Sequence, residues 1–295
     1  MTRVNPLLHR ALVVNLVLEV LIVVTGGTVR LTRSGLGCPT WPKCTPASMV
    51  PVADQAQGFH KFIEFGNRML TPVVSAAALL VIVAIWRFAP GRRDLRRLAF
   101  LPLAGVALQA VVGGITVRLK LNPTVVSLHF LASMVLIVLS AYLVRRAAEG
   151  DRPPRPLVRP EVRWVALAAT GVLTVVLVLG TIVTGTGPHS GDINVHRYPF
   201  DPRTVSWLHA DTVMLFIGLC AATWLAVRLS PDAASASRPW LVVIGVALAQ
   251  GLIGFVQYFT KLPEALVLAH MLGASLLVVA MTFAILALRA RPAAP

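Results

Sequence analysis

The chain has 295 residues, is 56% hydrophobic and carries a formal net charge of +15. Its mean hydropathy of +0.76 excludes an ordinary soluble domain. The basic excess is spread as in a membrane protein, so it calls for no nucleic-acid partner.

Apolar runs long enough to cross a bilayer recur at about residues 11–30, 60–86, 98–117, 124–144, 163–184, 204–228, 239–258 and 264–288. The first run ends in "TGGTVR" with no small-residue cleavage site. It is therefore read as a retained helix, not a signal peptide. The expected fold is an all-α membrane protein of eight transmembrane helices, with little chain left for a soluble domain. With the N-terminus inside, 17 of the 27 Lys and Arg fall on the inner side and 10 on the outer side or outer helix ends. The inner set starts at Arg3 and Arg10. It runs through "WRFAPGRRDLRR" and "VRRAAEGDRPPRPLVRPEVR" to Arg289 and Arg291. The positive-inside rule then places both termini in the cytoplasm.

The first outer loop, "SGLGCPTWPKC", holds Cys38 and Cys44. Outside the membrane is an oxidising side, which suits a disulfide, with two free thiols as the alternative. Cys220 lies within the sixth run and reads as a small apolar filler.

The chain repeats itself. Gln109, Gly113, Lys120, Leu121 and His129 recur as Gln250, Gly254, Lys261, Leu262 and His270, each pair about 141 residues apart. "TVRLTRSGLG" after the first run resembles "TIVTGTGPHSG" after the fifth. An offset of about 142 lays "IEFGNRM" on "VSWLHAD", so that His209 falls opposite Asn67. Four helices per unit make the repeat parallel, with its axis along the membrane normal. The units expected are residues 1–150 and 151–295, two four-helix bundles side by side.

His129, His209 and His270 occupy equivalent positions on helices 4, 6 and 8, about one to two turns below the outer helix ends. Ionisable groups inside a membrane are costly and usually functional. Zinc would want three or four protein ligands. Two imidazoles with small residues nearby suit a haem, whose porphyrin supplies the other four ligands. His209 and His270 are thus expected to share one haem iron. The first bundle offers His129, Asn67 and Glu64. Asparagine is a poor axial ligand, and His60 lies about 10 Å nearer the outer surface. A haem there is expected on His129 alone, or on His129 and a water.

Other polar residues carry two readings each. Glu64 faces the same way as Asn67, and is either functional or paired with Arg68 one turn on. Glu19 is expected in a polar contact with a neighbouring helix. Gln109 and Gln250 read as interhelical hydrogen bonders. Arg118, Lys120 and Lys261 cap outer helix ends or hold haem propionates. His189 and His196 read as solvated loop residues, with a surface metal site as the other option.

"GGTVRLTRSGLGCPTWPKC", "FIEFGNRM", "GGITVRL" with "SLHF", "GTIVTGTGPHSGD", "WLHAD" and "LAHML" together resemble the haem A synthase family. The resemblance covers almost the whole chain. It implies a bacterial cytoplasmic membrane enzyme that oxidises the C8 methyl of haem O, through a hydroxymethyl stage, to the formyl group of haem A for cytochrome oxidase. It implies a haem b on His209 and His270, a substrate haem on His129, a disulfide between Cys38 and Cys44, and Glu64 as the catalytic carboxylate. The family has histidine three residues after that glutamate. Asn67 departs from the pattern and marks the position of the missing ligand. The second outer loop also lacks the cysteine pair of some members. Implied partners are haem O, membrane lipid, a haem O-producing enzyme and an electron acceptor, and the reading admits a homo-oligomer. The rival readings are a cytochrome b-like carrier that turns nothing over and a parallel-repeat transporter. The first would want two histidines in each half, and the second broken helices at midplane.

Overall fold

A computed structural model describes residues 4–192 and 195–292. Arg3, counted above among the inner cations, lies outside them. Among the described residues, eight helices of 23 to 29 residues are long and apolar enough to cross a membrane. We number them α1 (Pro6–Leu31), α2 (His60–Phe88), α3 (Arg93–Arg118, interrupted at Ala99), α4 (Pro123–Ala147), α5 (Pro160–Thr186), α6 (Pro202–Arg228), α7 (Ser237–Phe259) and α8 (Glu264–Leu286). At about 1.5 Å per residue the shortest is about 35 Å long, against about 30 Å of hydrocarbon.

Helix starts follow local chemistry. Asn5, Asn122 and Asp201 each accept a backbone N–H from the first turn, and a proline follows each cap. The cap satisfies an orphan donor, and proline lacks the donor that the first turn would waste. This carries α1 back to Pro6, about five residues before the apolar run begins. α3 likewise starts within the basic segment, because Leu95 is buried while its neighbouring arginines are not.

The first four helices form a ring in which α1 packs on α2 and α4, and α3 on the same two. Likewise α5 packs on α6, α6 on α7, α7 on α8, and α8 back on α5. Between the groups, α8 meets α1 and α4, and α4 meets α5. Leu16, Val23, Met134, Ile137 and Val278 fill that junction. Trp240, Phe216 and Cys220 are fully buried in the core of the second group. Cys220 is thus the apolar filler expected of it. Large apolar side chains face outward elsewhere, such as Leu80, Val83, Leu252 and Phe255. That is costly in water and favourable in lipid.

The two ends of the molecule differ. One, here the loop end, carries the Cys38–Cys44 disulfide and the turns α3–α4 and α7–α8. Both turns place two consecutive residues at positive φ, Lys120 and Leu121 in one, Lys261 and Leu262 in the other. Both are closed by one backbone bond of the same register, from the Leu121 N–H to the Thr116 carbonyl and from the Leu262 N–H to the Gln257 carbonyl. The other, the terminal end, carries the start of α1 and the end of α8. There the strand β1 (Arg155–Pro156) pairs antiparallel with β2 (Arg289–Ala290).

Candidate functional site

Asn67 and His209 lie seven residues inside α2 and α6, and His129 and His270 six residues inside α4 and α8. All four therefore sit about 9–10 Å below the loop end. Each histidine ring packs flush on a glycine of the preceding helix. A β-carbon on Gly113, Gly180 or Gly254 would stand 3.4 Å from Cε1 of His129, His209 or His270. The rings are half-buried and each Nδ1 is sealed from solvent; those of His129 and His270 have no hydrogen-bond partner among the described residues, while the His209 ring is drawn to the Val176 backbone. An unpartnered buried nitrogen is costly.

His209 and His270 face each other with ring centroids 6.5 Å apart and ring planes at 67°. Two metal–nitrogen bonds of about 2.0 Å, plus about 1.1 Å from each nitrogen to its ring centre, span about 6.2 Å. The pair therefore has room for one metal ion between the rings. Among the described residues no three His, Cys, Asp or Glu side chains come together as a metal cluster. A metal held here must bring most of its ligands with it, as a porphyrin iron does.

Gln109 and Gln250 are interhelical hydrogen bonders. The Gln109 Nε2–H donates to the His129 carbonyl at 2.9 Å, and the Gln250 Nε2–H to the His270 carbonyl at 2.7 Å. Each fixes the backbone that carries a histidine.

The first group of helices differs. Asn67 Oδ1 accepts the Thr25 hydroxyl at 2.8 Å, which ties α2 to α1 at the level of the histidines. His60 is exposed, with Nδ1 2.9 Å from Ser34 Oγ. Its ring is held at the loop, not at the level of Asn67. Glu64 is buried and ion-paired with Arg68 at 2.6 Å. Its Oε2 accepts the Cys38 N–H at 2.6 Å, and Arg68 donates to the carbonyls of Cys38 and Thr40 at 2.8 and 3.0 Å. The Glu64–Arg68 pair thus clamps the disulfide loop to α2. Trp41 of that loop lies on Gly114, where any β-carbon would strike its ring. Arg118 stands over the same ring and donates to the Trp41 carbonyl at 3.2 Å.

Glu19 corrects an expectation. It is 3% exposed, yet no polar contact to a neighbouring helix appears among the described residues, and Oε1 is sealed without a partner. The donor nearest in sequence on its helix, Asn15 one turn away, gives its N–H to Ser140 Oγ at 3.0 Å. The surrounding faces of α4 and α8 are apolar. His189 is held in its loop, with Nε2 2.9 Å from the Leu262 carbonyl, while His196 is exposed. Two contacts had no sequence signal. Arg30 Nη2 donates to the Thr184 carbonyl at 2.8 Å, and the Gly35 N–H to the Gly191 carbonyl at 3.0 Å. Both join the two groups of helices at the loop end.

Residues 9–189 match the family model of COX15-CtaA, described as cytochrome oxidase assembly protein. The chain belongs to that family. It is similar to proteins named Heme A synthase from Lysinibacillus sphaericus (26% identical over 277 residues, 87% of each chain) and Listeria monocytogenes (25% over 293 residues, 93% of this chain and 91% of the relative). A third, from an Exiguobacterium strain, is 30% identical over 135 residues, 45% of this chain and 43% of its own. With eight membrane-length helices among the described residues and relatives such as these from bacteria, this COX15-CtaA member is a multi-pass protein of the cytoplasmic membrane.

Proposed function

We propose that the protein is a haem A synthase that oxidises the C8 methyl of haem O to a formyl group. The observation that carries the reading is the 6.5 Å separation of the His209 and His270 rings, which would let both imidazoles hold one haem iron. A haem b bound there supplies one-electron transfer, which methyl oxidation needs. Around it the chain positions and insulates. Gly180 and Gly254 admit the rings, Gln250 fixes the His270 backbone, and the apolar helix walls exclude water.

The substrate haem is assigned to the first group of helices, on His129. Asn67 offers no imidazole and is engaged by Thr25, so that haem would be held by His129 alone or by His129 and a water. This asymmetry separates the reading from a cytochrome b-like carrier, which would want two histidines in both halves. Glu64 is the carboxylate assigned to the reaction, as a polar partner or proton acceptor near the reacting edge. Its link to Arg68 and Cys38 fixes where it points.

We read the architecture as a parallel repeat of two bundles, residues 1–150 for the substrate haem and 151–295 for haem b. The matched Gln–His bonds and the matched positive-φ turns support it. The charge distribution supports a loop end outside the cell and both termini in the cytoplasm. The test is to purify the protein, record its absorption spectrum and identify the extracted porphyrins. Haem b together with haem O or haem A is expected. Haem b alone would favour the carrier, and no haem would sink both.

A further inference from the structure

The terminal end holds a feature that this function does not use. A cleft of about 410 Å³ opens between the α2–α3 turn, the last turns of α4 and the segment after α8. Arg93, Arg146, Arg291 and Tyr142 line it, together with Asp94 and Asp151.

The carboxylates are already engaged. Arg146 Nη2 lies 2.7 Å from Asp94 Oδ2, and Arg92 Nε lies 2.6 Å from Asp151 Oδ1. Glu149 is shared by Arg146, Arg289 and Arg291 at 3.4 to 3.9 Å. Five guanidiniums (Arg92, Arg93, Arg146, Arg289 and Arg291) thus meet three carboxylates (Asp94, Glu149 and Asp151), an excess of two positive charges. Arg93 is exposed and has no ion-pair partner among the described residues. Tyr142 adds a hydroxyl, its ring 5.7 Å from the Arg289 guanidinium.

The level of the cleft is marked by Trp86, 49% exposed and covered by Arg96 at 4.5 Å. Tryptophan and arginine at a helix end belong to the headgroup layer of a bilayer. Guanidiniums recognise phosphate through paired charge-assisted hydrogen bonds. From the charge excess, the unpaired Arg93 and this level, we propose that the cleft binds the phosphate of an anionic phospholipid headgroup. Such a lipid would fasten α3 and α4 to the segment after α8, beside the bond from the Gly150 N–H to the Arg291 carbonyl (2.9 Å). The proposal does not depend on the haem assignments.

The test uses the full-length protein in detergent, stripped of lipid and titrated with phosphatidylglycerol, phosphatidylcholine or inorganic phosphate. Binding is read by native mass spectrometry and by thermal unfolding. Phosphatidylglycerol should bind and raise the unfolding midpoint, and phosphatidylcholine should do neither. Arg93→Gln should weaken phosphatidylglycerol at least about tenfold, the scale of one hydrogen bond to a charged group. It breaks no ion pair, so it should keep the unfolding midpoint of the lipid-free protein. Inorganic phosphate that stabilises alone and displaces the lipid would overturn the lipid assignment in favour of a soluble phosphate compound. Equal binding of the two lipids, or unchanged affinity in both Arg93→Gln and Arg291→Gln, would overturn the site.

Discussion

The imidazoles of His209 and His270 stand 6.5 Å apart, centre to centre, across α6 and α8. If they share one iron, each is needed for a six-coordinate low-spin centre. His209→Ala and His270→Ala should each abolish the low-spin haem b spectrum. Either variant with an unchanged spectrum would refute the assignment. A haem on His129 should survive both.

Asn67 gives the second prediction. Its Oδ1 holds the Thr25 hydroxyl, and His60 is held at the loop by Ser34. Electron paramagnetic resonance of the protein loaded with substrate haem should show one low-spin bis-imidazole signal, not two. His129→Ala should lose the substrate haem and keep haem b. Asn67→His should convert the substrate haem towards a low-spin six-coordinate form. Two bis-imidazole signals in the unmodified protein would mean that another histidine reaches the iron.

The Glu64–Arg68 pair gives the third. Glu64→Gln keeps the shape and removes the charge, so haem A production should fall while haem b content stays. Arg68→Gln strands a buried carboxylate, which costs about 3–5 kcal/mol. Thermal unfolding should register that loss, and protease should cut the disulfide loop faster. An Arg68→Gln protein as stable as the parent would show that the clamp carries no weight.

The glycine floors give the fourth. A β-carbon at 3.4 Å from a ring is an ordinary contact. Gly180→Ala and Gly254→Ala should therefore keep the haem spectrum, and gain about 0.5–1 kcal/mol from helix propensity. Gly254→Leu needs space that the ring occupies, and should displace His270 and weaken the low-spin signal. An unperturbed spectrum in Gly254→Leu would show that the ring does not rest on this helix.

Much of this was legible because it is local or periodic. The eight spans follow from hydropathy, whereas the start of α1 about five residues before its apolar run is set by the Asn5 cap, which hydropathy does not register. The offset of about 141 residues pairs Gln109 with Gln250, and both side chains bond a histidine carbonyl. Cys38 and Cys44 were legible from compartment and resemblance. Contacts between distant segments were not. Trp41 on Gly114 and Arg30 on Thr184 leave no periodic trace, since each depends on how a loop or helix end folds back. Gly180 escaped because the α1–α5 correspondence is weak. The isolation of Glu19 was hidden for a related reason. A glutamate in an apolar run announces a polar partner, and only packing shows that its neighbours supply none.

The fastening of the Cys38–Cys44 loop has a mechanical consequence. Glu64 and Arg68 bind it to α2, while Trp41 and Arg118 bind it to α3. It therefore braces the loop ends of those helices against each other. Their other ends are joined by a short turn, where Arg92 donates to the carbonyls of Glu149 and Arg146. The middle of α2 lies between these braces. There Pro72 removes a backbone hydrogen bond, and Met69 and Val73 face outward. The least braced stretch of that wall is therefore the one around Pro72, whose exposed apolar side chains are turned to lipid.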